Sequence, residues 1–410
     1  MIENQSLLKV KPAFLFLLLV AFTYTVLFFA MDQLRGPFWI DEAWFWETSQ
    51  QFSQSLIPTL DQLRNYNELN TPLPFILYGM LEYLFDDGLF AGRLLNFLLS
   101  IAIVFLIGWP GQGKRFKPIL AVLGLFLFPY FLWLSARFYT DLIASIFALL
   151  GVVFYLRKQP IVSGLVFILA IASRQYMVAF PVAIAAHELV IAIRYRQRPS
   201  LSFFLPFFAA LSLLGWFVLF GGLAPQNALA SRPAPDVQYS FWALLPSSSI
   251  FFLSSIGLSF VIPEFLLLYR RLDWSAVFSK KSLLIAGGLL LLFIIFPPPE
   301  SAKGLVWRVA EAPDGVLFIP RLTIQRGVYY GLALLTCLRF SNLGLGGWMV
   351  LFNALIMLKA FPWDRYSLPL IIVLWYLQSK NQLDHPLARS PVPAPERVEE
   401  APPPAKTGIA

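Results

Sequence analysis

Charge is what this sequence has least of. Of 410 residues only 13% are Asp, Glu, Lys or Arg, while 58% are hydrophobic and 40 are phenylalanine. Soluble domains are about 25% charged, so water-soluble, disordered and fibrous classes are excluded and a polytopic membrane chain remains. Cysteine is almost missing: a single Cys337 excludes an internal disulfide framework. The two histidines, His187 and His385, are too few to build a zinc or haem site. Nor is there a nucleotide loop, since Gly111-Gln112-Gly113-Lys114 lacks the Walker spacing and a following Ser or Thr. No internal repeat is evident. The net charge of +8 does not point to nucleic acid, because membrane proteins collect Lys and Arg on cytoplasmic loops.

What is present is a series of apolar stretches. Crossing about 30 Å of hydrocarbon takes some 20 helical residues. Candidate spans lie near 13–31, 90–109, 118–134, 139–156, 160–173, 176–193, 202–222, 249–269, 282–297, 327–338, 344–361 and 366–378. The first follows Lys9 and Lys11 and lacks a small-x-small cleavage site, which predicts a retained anchor with a cytoplasmic N-terminus. The stretch 73–85 is 13 residues long and contains Glu82. If it crossed, the basic clusters at 114–117, 157–158, 194–198, 270–271 and 280–281 would all lie outside. Laid along the interface, it leaves every cluster cytoplasmic. The expectation is therefore an all-α polytopic protein of twelve spans, both ends cytoplasmic, with interfacial helices in a first outer loop at 32–89. Residues 1–378 form the transmembrane domain; the proline-rich, apolar-poor 379–410 reads as a disordered cytoplasmic tail.

Sorted by side, the outer loops hold an informative set of charges. The first carries Trp39-Ile40-Asp41-Glu42-Ala43-Trp44. An adjacent carboxylate pair in an aromatic setting can serve as a general base; equally, acids favour the first turn of a surface helix and cap it. Asp141 opens a span in Arg137-Phe138-Tyr139-Thr140-Asp141, where a buried charge is expensive. N-capping or a salt bridge to Arg137 would also account for it. Ser173-Arg174-Gln175-Tyr176 places an arginine that can grip a phosphate bidentately, or pair with an acid, or snorkel to the interface. The 298–326 loop holds Lys303, Arg308, Arg321 and Arg326 against Glu300, Glu311 and Asp314; basic residues outside run against the usual trend and suggest an anionic ligand. The last outer turn reads Trp363-Asp364-Arg365-Tyr366. A carboxylate able to deprotonate an alcohol, with arginines able to hold a phosphate, suits glycosyl transfer from a lipid-phosphate sugar.

The ordered motifs resemble the dolichyl-phosphate-glucose α-1,2-glucosyltransferases, and more broadly the GT-C superfamily of membrane glycosyltransferases. Ile40-Asp41-Glu42 is similar to that family's Met-Asp-Glu, and Asn70-Thr71-Pro72-Leu73-Pro74 to its Thr-Thr-x-Pro-Gly. Gly92-Arg93-Leu94-Leu95-Asn96 resembles Leu-Arg-x-x-Asn, and Phe138-Tyr139-Thr140-Asp141 an aromatic-Tyr-Thr-acid turn. Ser173-Arg174-Gln175 is similar to the Arg-Gln of Arg-Gln-Thr-Asn, and Trp363-Asp364-Arg365-Tyr366 stands where the family has Asp-Asn-Arg-His-Tyr. The match runs from about residue 39 to 185 and returns near 360–368. Tyr176-Met177 replaces Thr-Asn, the last motif lacks its histidine, and the chain ends without an ER-retrieval signal. A bacterial inner-membrane relative, active on the extracytoplasmic face, fits these departures.

The resemblance implies Asp41 as catalytic base with Glu42 as its partner and Asp141 as the second acidic position. It implies Arg174 and Arg365 as donor-phosphate contacts. Tyr139, Gln175, Arg308, Arg321 and Tyr366 are candidate substrate contacts. The implied partners are a polyprenyl-phosphate sugar donor, a glycolipid or glycan acceptor, and membrane lipids. The implied reaction is inverting transfer of a glucose-like hexose. No protein metal site is expected, although carboxylates alone can hold Mg²⁺ or Mn²⁺. Two other readings stay open: a multi-span transporter or lipid flippase, and a non-catalytic membrane scaffold whose ion pairs are only structural.

Overall fold

The structure, a computed structural model, describes residues 11–110, 116–232, 236–268, 279–298, 302–312 and 321–384; at Ile40 and Arg321 only the backbone is described. The expectations for Lys9, Lys114-Arg115, Arg270-Arg271, Glu300, Asp314, His385 and the tail from 385 onward lie outside the described residues. So does any reading of the Arg321 side chain.

Helix follows helix throughout. α1 Pro12–Ala30 precedes the first loop region, which contains α2 Ile40–Gln51, α3 Leu60–Arg64 and α4 Leu73–Phe85 and leads into α5 Leu89–Gly108. Next come α6 Lys117–Phe126, α7 Pro129–Ser135, α8 Asp141–Leu156, α9 Pro160–Ser173, α10 Ala179–Arg194 and α11 Leu201–Phe220. After these stand α12 Gln226–Ser231, α13 Pro246–Ile256, α14 Ile262–Leu268, α15 Lys280–Ile295, α16 Leu305–Glu311, α17 Arg321–Arg339, α18 Leu345–Ile356 and α19 Leu368–Ser379. The β pairing among the described residues is a single bridge between Lys303 and Trp363.

Five helical stretches are long and apolar enough to cross a bilayer: Pro12–Ala30, Leu89–Gly108, Gln175–Arg194, Leu201–Phe220 and Pro246–Leu268. Their outward faces carry bare hydrocarbon, as at Phe22, Phe208 and Val218. Such a surface is stable only against lipid. The protein is thus a multi-pass, all-α membrane protein. The expected span at 118–134 is instead two helices bent by 79°, which count as a sixth span if taken together. Phe128 is extended and Pro129 starts α7, so the helical hydrogen bonding is interrupted there.

The other expected spans are helices of 12 to 16 residues, except α17, which has 19 but is more polar. The most internal of them is α19, every residue of which is buried. Its Trp375 lies so close to α6 that a Cβ on Gly124 would overlap the indole. At 13 residues α4 reaches only about 20 Å, short of a bilayer. It turns Phe75, Tyr78 and Gly79 inward and packs on α2, inside the first loop region.

Consecutive short helices set the position of the charged residues. Asp141 is the first residue of α8, and Arg157 and Lys158 follow its last. Arg174 follows α9, and Arg194 ends α10. Sixteen residues of α8 separate the two ends by about 24 Å. The acids and arginines with candidate roles therefore gather at one end of this bundle, opposite the basic clusters.

Candidate active site

Neighbouring positions on a helix point about 100° apart, so Asp41 and Glu42 part company in the first turn of α2. Glu42 turns inward and is fully buried. Its Oε1 accepts from Arg93 Nε at 2.9 Å and from the Phe138 N–H at 2.6 Å. Its Oε2 accepts from Arg93 Nη2 at 2.7 Å, the Trp39 N–H at 2.9 Å and Arg137 Nη1 at 3.4 Å. The bond to Trp39 caps α2, as acids in a first turn often do. Arg93 also donates to the carbonyls of Leu34, Gly36 and Pro37, so it staples the chain entering α2.

Asp41 turns the other way. Its side chain keeps 24% of its exposure and accepts from Arg365 Nη1 at 3.1 Å. Arg365 lies over the Trp363 ring at 3.8 Å, with the rings of Tyr139 and Tyr366 at 5.1 and 5.9 Å. Its Nε is buried without a partner among the described residues. The preceding Asp364 faces away: its Oδ2 accepts from the Val306 N–H at 3.0 Å at the start of α16. Burial pushes the Asp364 carboxyl up to about 6. The close approach requires Gly304, whose φ is +111° and whose Cβ, if it had one, would overlap the carboxylate.

Asp141 pairs with Arg174 Nη2 at 2.8 Å, not with Arg137. Arg174 is buried and spends Nε and Nη2 on the Thr140 hydroxyl as well, so snorkelling does not describe it. Asp141 Oδ1 is buried and has no partner among the described residues. Arg365 lies within electrostatic reach of Asp141, and Arg174 of Arg365, so the four charges form one alternating chain. Tyr139 is held there through its carbonyl, which accepts from the Tyr78 hydroxyl and the Asn96 amide.

Arg174, Gln175 and Tyr366 line a cavity of about 140 Å³ together with Asn70, Gln238 and Lys359. Its other wall is apolar and includes Leu213 and Phe217 of α11. About 100° further round α11, Leu214 and Val218 are exposed toward lipid. The cavity is cationic at one end and bounded by a bilayer-facing helix on the other. Arg308 is exposed on α16 and does not join this group. Among the described residues, no three His, Cys, Asp or Glu side chains converge as a metal site.

No family model and no curated protein match the chain significantly. Among solved structures it is similar to ArnT from Cupriavidus metallidurans, in a crystal structure bound to undecaprenyl phosphate. Identity is 16%, the match covers 90% of this chain and 78% of that one, and the TM-score is 0.39. A superposition that loose transfers neither residues nor ligand.

Two residues of this neighbourhood carry no motif. Glu68 is buried between α3 and α4, and Arg232 follows α12, 164 residues later, yet Arg232 Nε meets Glu68 Oε1 at 3.0 Å. An ion pair between two loops has no local sequence signal. The one available hint was an arginine in an outer loop otherwise rich in Pro, Ser and Asn.

Proposed function

We propose that this chain is a membrane glycosyltransferase that moves a hexose from a polyprenyl-phosphate donor to a hydroxyl of a lipid-linked or other glycan acceptor. In this reading the reaction runs on the extracytoplasmic face, opposite the basic clusters, in a bacterial inner membrane. The observation that carries it is the Asp41–Arg365 pair: a partly open carboxylate held by a buried arginine, beside a cavity with a cationic end and an apolar wall.

Asp41 takes the proton of the acceptor hydroxyl as its oxygen attacks the anomeric carbon. The bond from that carbon to the phosphate oxygen breaks, and its electron pair leaves with the lipid phosphate. Charge growing on the phosphate is met by Arg174 and by Arg365, whose unpartnered Nε leaves a donor to offer. Glu42 does not touch substrate; it fixes the turn that presents Asp41. One displacement inverts the anomeric centre, the outcome that the glucosyltransferase resemblance implies. Polyprenyl chains fit the wall formed by α11.

The test uses purified full-length protein in lipid nanodiscs, a panel of radiolabelled polyprenyl-phosphate hexoses and a membrane-lipid extract as acceptor. Label moving into a new glycolipid from at least one donor is the expected result. No movement from any donor overturns the reading.

A further inference from the structure

Between α3 and α4 the chain from Asn65 to Pro72 has no regular helix but is pinned at four places. The Tyr66 hydroxyl donates to the Asn70 carbonyl at 2.6 Å and the Thr71 hydroxyl to Ile171 at 2.7 Å. Gln175 Nε2 donates to the Leu69 carbonyl at 2.7 Å, and Arg232 Nε to that of Asn67 at 2.9 Å. The segment borders two groups of residues. Leu69 and Asn70 line the cavity, whereas Asn67 and Glu68 meet Arg232.

Arg232 gathers a second polar group. Besides Glu68 it reaches Glu47 Oε2 through Nη2 at 3.3 Å, and its guanidinium lies over the Trp44 ring at 4.9 Å. Asp41, Trp44 and Glu47 sit at three-residue steps along α2, so Trp44 lies between the other two on a strip that turns about 120° around that helix. Glu47 is 60% exposed. The hydrogen bonds of Glu68 go to Oε1, leaving Oε2 without a partner among the described residues. Glu68 is within electrostatic reach of Asp41 and Arg174.

Resting on the glycosyl-transfer reading, we infer that Glu47, Glu68 and Arg232 form an acceptor subsite for a neutral, hydroxyl-rich sugar. The two carboxylates accept hydrogen bonds from its hydroxyls and Arg232 donates to its oxygens. A further hydroxyl of the same glycan then lies at Asp41, six residues and about 9 Å along α2 from Glu47. There the O–H bond breaks, the proton passes to Asp41, the oxygen bonds the anomeric carbon, and the phosphate departs with its electron pair. An anionic sugar would face the carboxylates of Asp41, Glu47 and Glu68 together, which favours a neutral one. The donor and acceptor sides are divided by residues 65–72, so each can be filled independently.

Glu68 also gives the subsite a pH signature. Burial pushes its carboxyl up to about 7, opposed by Arg232 and Arg174 and reinforced by Asp41; Tyr66 and Glu47 are the remaining titratable neighbours. Ionised Glu68 is the better acceptor, so sugar affinity should rise as pH increases through 7.

The test measures binding apart from transfer. Wild-type protein in nanodiscs is titrated with octyl glucoside below its micellar concentration and, separately, with octyl glucuronide. Expected are preference for the neutral glycoside, tighter binding above pH 7, and a roughly tenfold loss in Glu68→Gln, the size of a hydrogen bond to a charged group. Glu47→Gln, exposed and harmless to folding, should weaken binding in the same direction. In the transfer assay the acceptor KM should rise in both variants while the donor KM stays unchanged. Undiminished glycoside binding in both variants, or preference for the glucuronide, overturns the subsite. Glycoside binding that behaves as expected, with no hexose transfer from any donor, overturns the enzymatic reading and leaves the subsite standing.

Discussion

Arg93 and Glu42, 51 residues apart, form a two-point ion pair with both side chains buried: Nε to Oε1 at 2.9 Å and Nη2 to Oε2 at 2.7 Å. Removing one member of such a pair leaves the other charged and unsatisfied, at about 3–5 kcal/mol. Glu42→Gln keeps the shape but not the charge, and strands Arg93 beside Arg137. Thermal unfolding in detergent should show a loss of that order. Unchanged stability would mean the pair does not organise the entry to α2.

In the proposed reaction Arg174 has two separable jobs, pairing with Asp141 and holding the donor phosphate. Arg174→Met alone should destabilise by about 3–5 kcal/mol, because Asp141 is left buried and unpaired. Replacing both charges, Arg174→Met with Asp141→Leu, should recover most of that stability, since apolar replacement of a buried pair is often neutral. Hexose transfer should stay lost in the double variant, with weaker donor binding. A double variant that is both stable and active would limit Arg174 to structure.

Gly304→Ala adds a Cβ at a φ of +111°, where it would overlap Asp364. Strain of this type costs about 1–3 kcal/mol. Because Arg365 is the next residue, transfer should fall along with stability. A variant with normal melting and normal activity would contradict the coupling of that turn to the site.

Asp364 sets a pH dependence of stability. Its carboxyl is pushed from the usual range near 4 up to about 6, mainly by burial, so the fold prefers it protonated. Its contribution to stability is full below pH 4 and is lost as pH rises through 6, by at most roughly 3 kcal/mol. Asp364→Asn should lack this slope. Melting curves of both proteins from pH 4 to 7 check it, and parallel curves would contradict the shift.

The residue types of the site were legible in the sequence; their pairings were not. Hydropathy located the helices, and sorting the few charges by side brought Asp41, Asp141, Arg174 and Arg365 into one candidate group, which the structure assembles. Reading Asp41-Glu42 as one working pair fails on helix geometry, which sends Glu42 to Arg93 and Asp41 to Arg365. The partner of Asp41 stands 324 residues away, a contact set by packing of α2 against the turn before α19. Hydropathy was equally blind to the bend at Phe128-Pro129, because a broken apolar stretch has the composition of a straight one. Glu68 and Arg232 sit in loops, where no periodicity reports burial.

The most direct measurement is the initial rate of hexose transfer by Asp41→Asn beside wild-type protein at equal folded concentration. General-base catalysis contributes roughly 10²–10⁴ in rate, so the variant should lose about that factor while still binding donor. Transfer at the wild-type rate by Asp41→Asn would contradict the account at its centre.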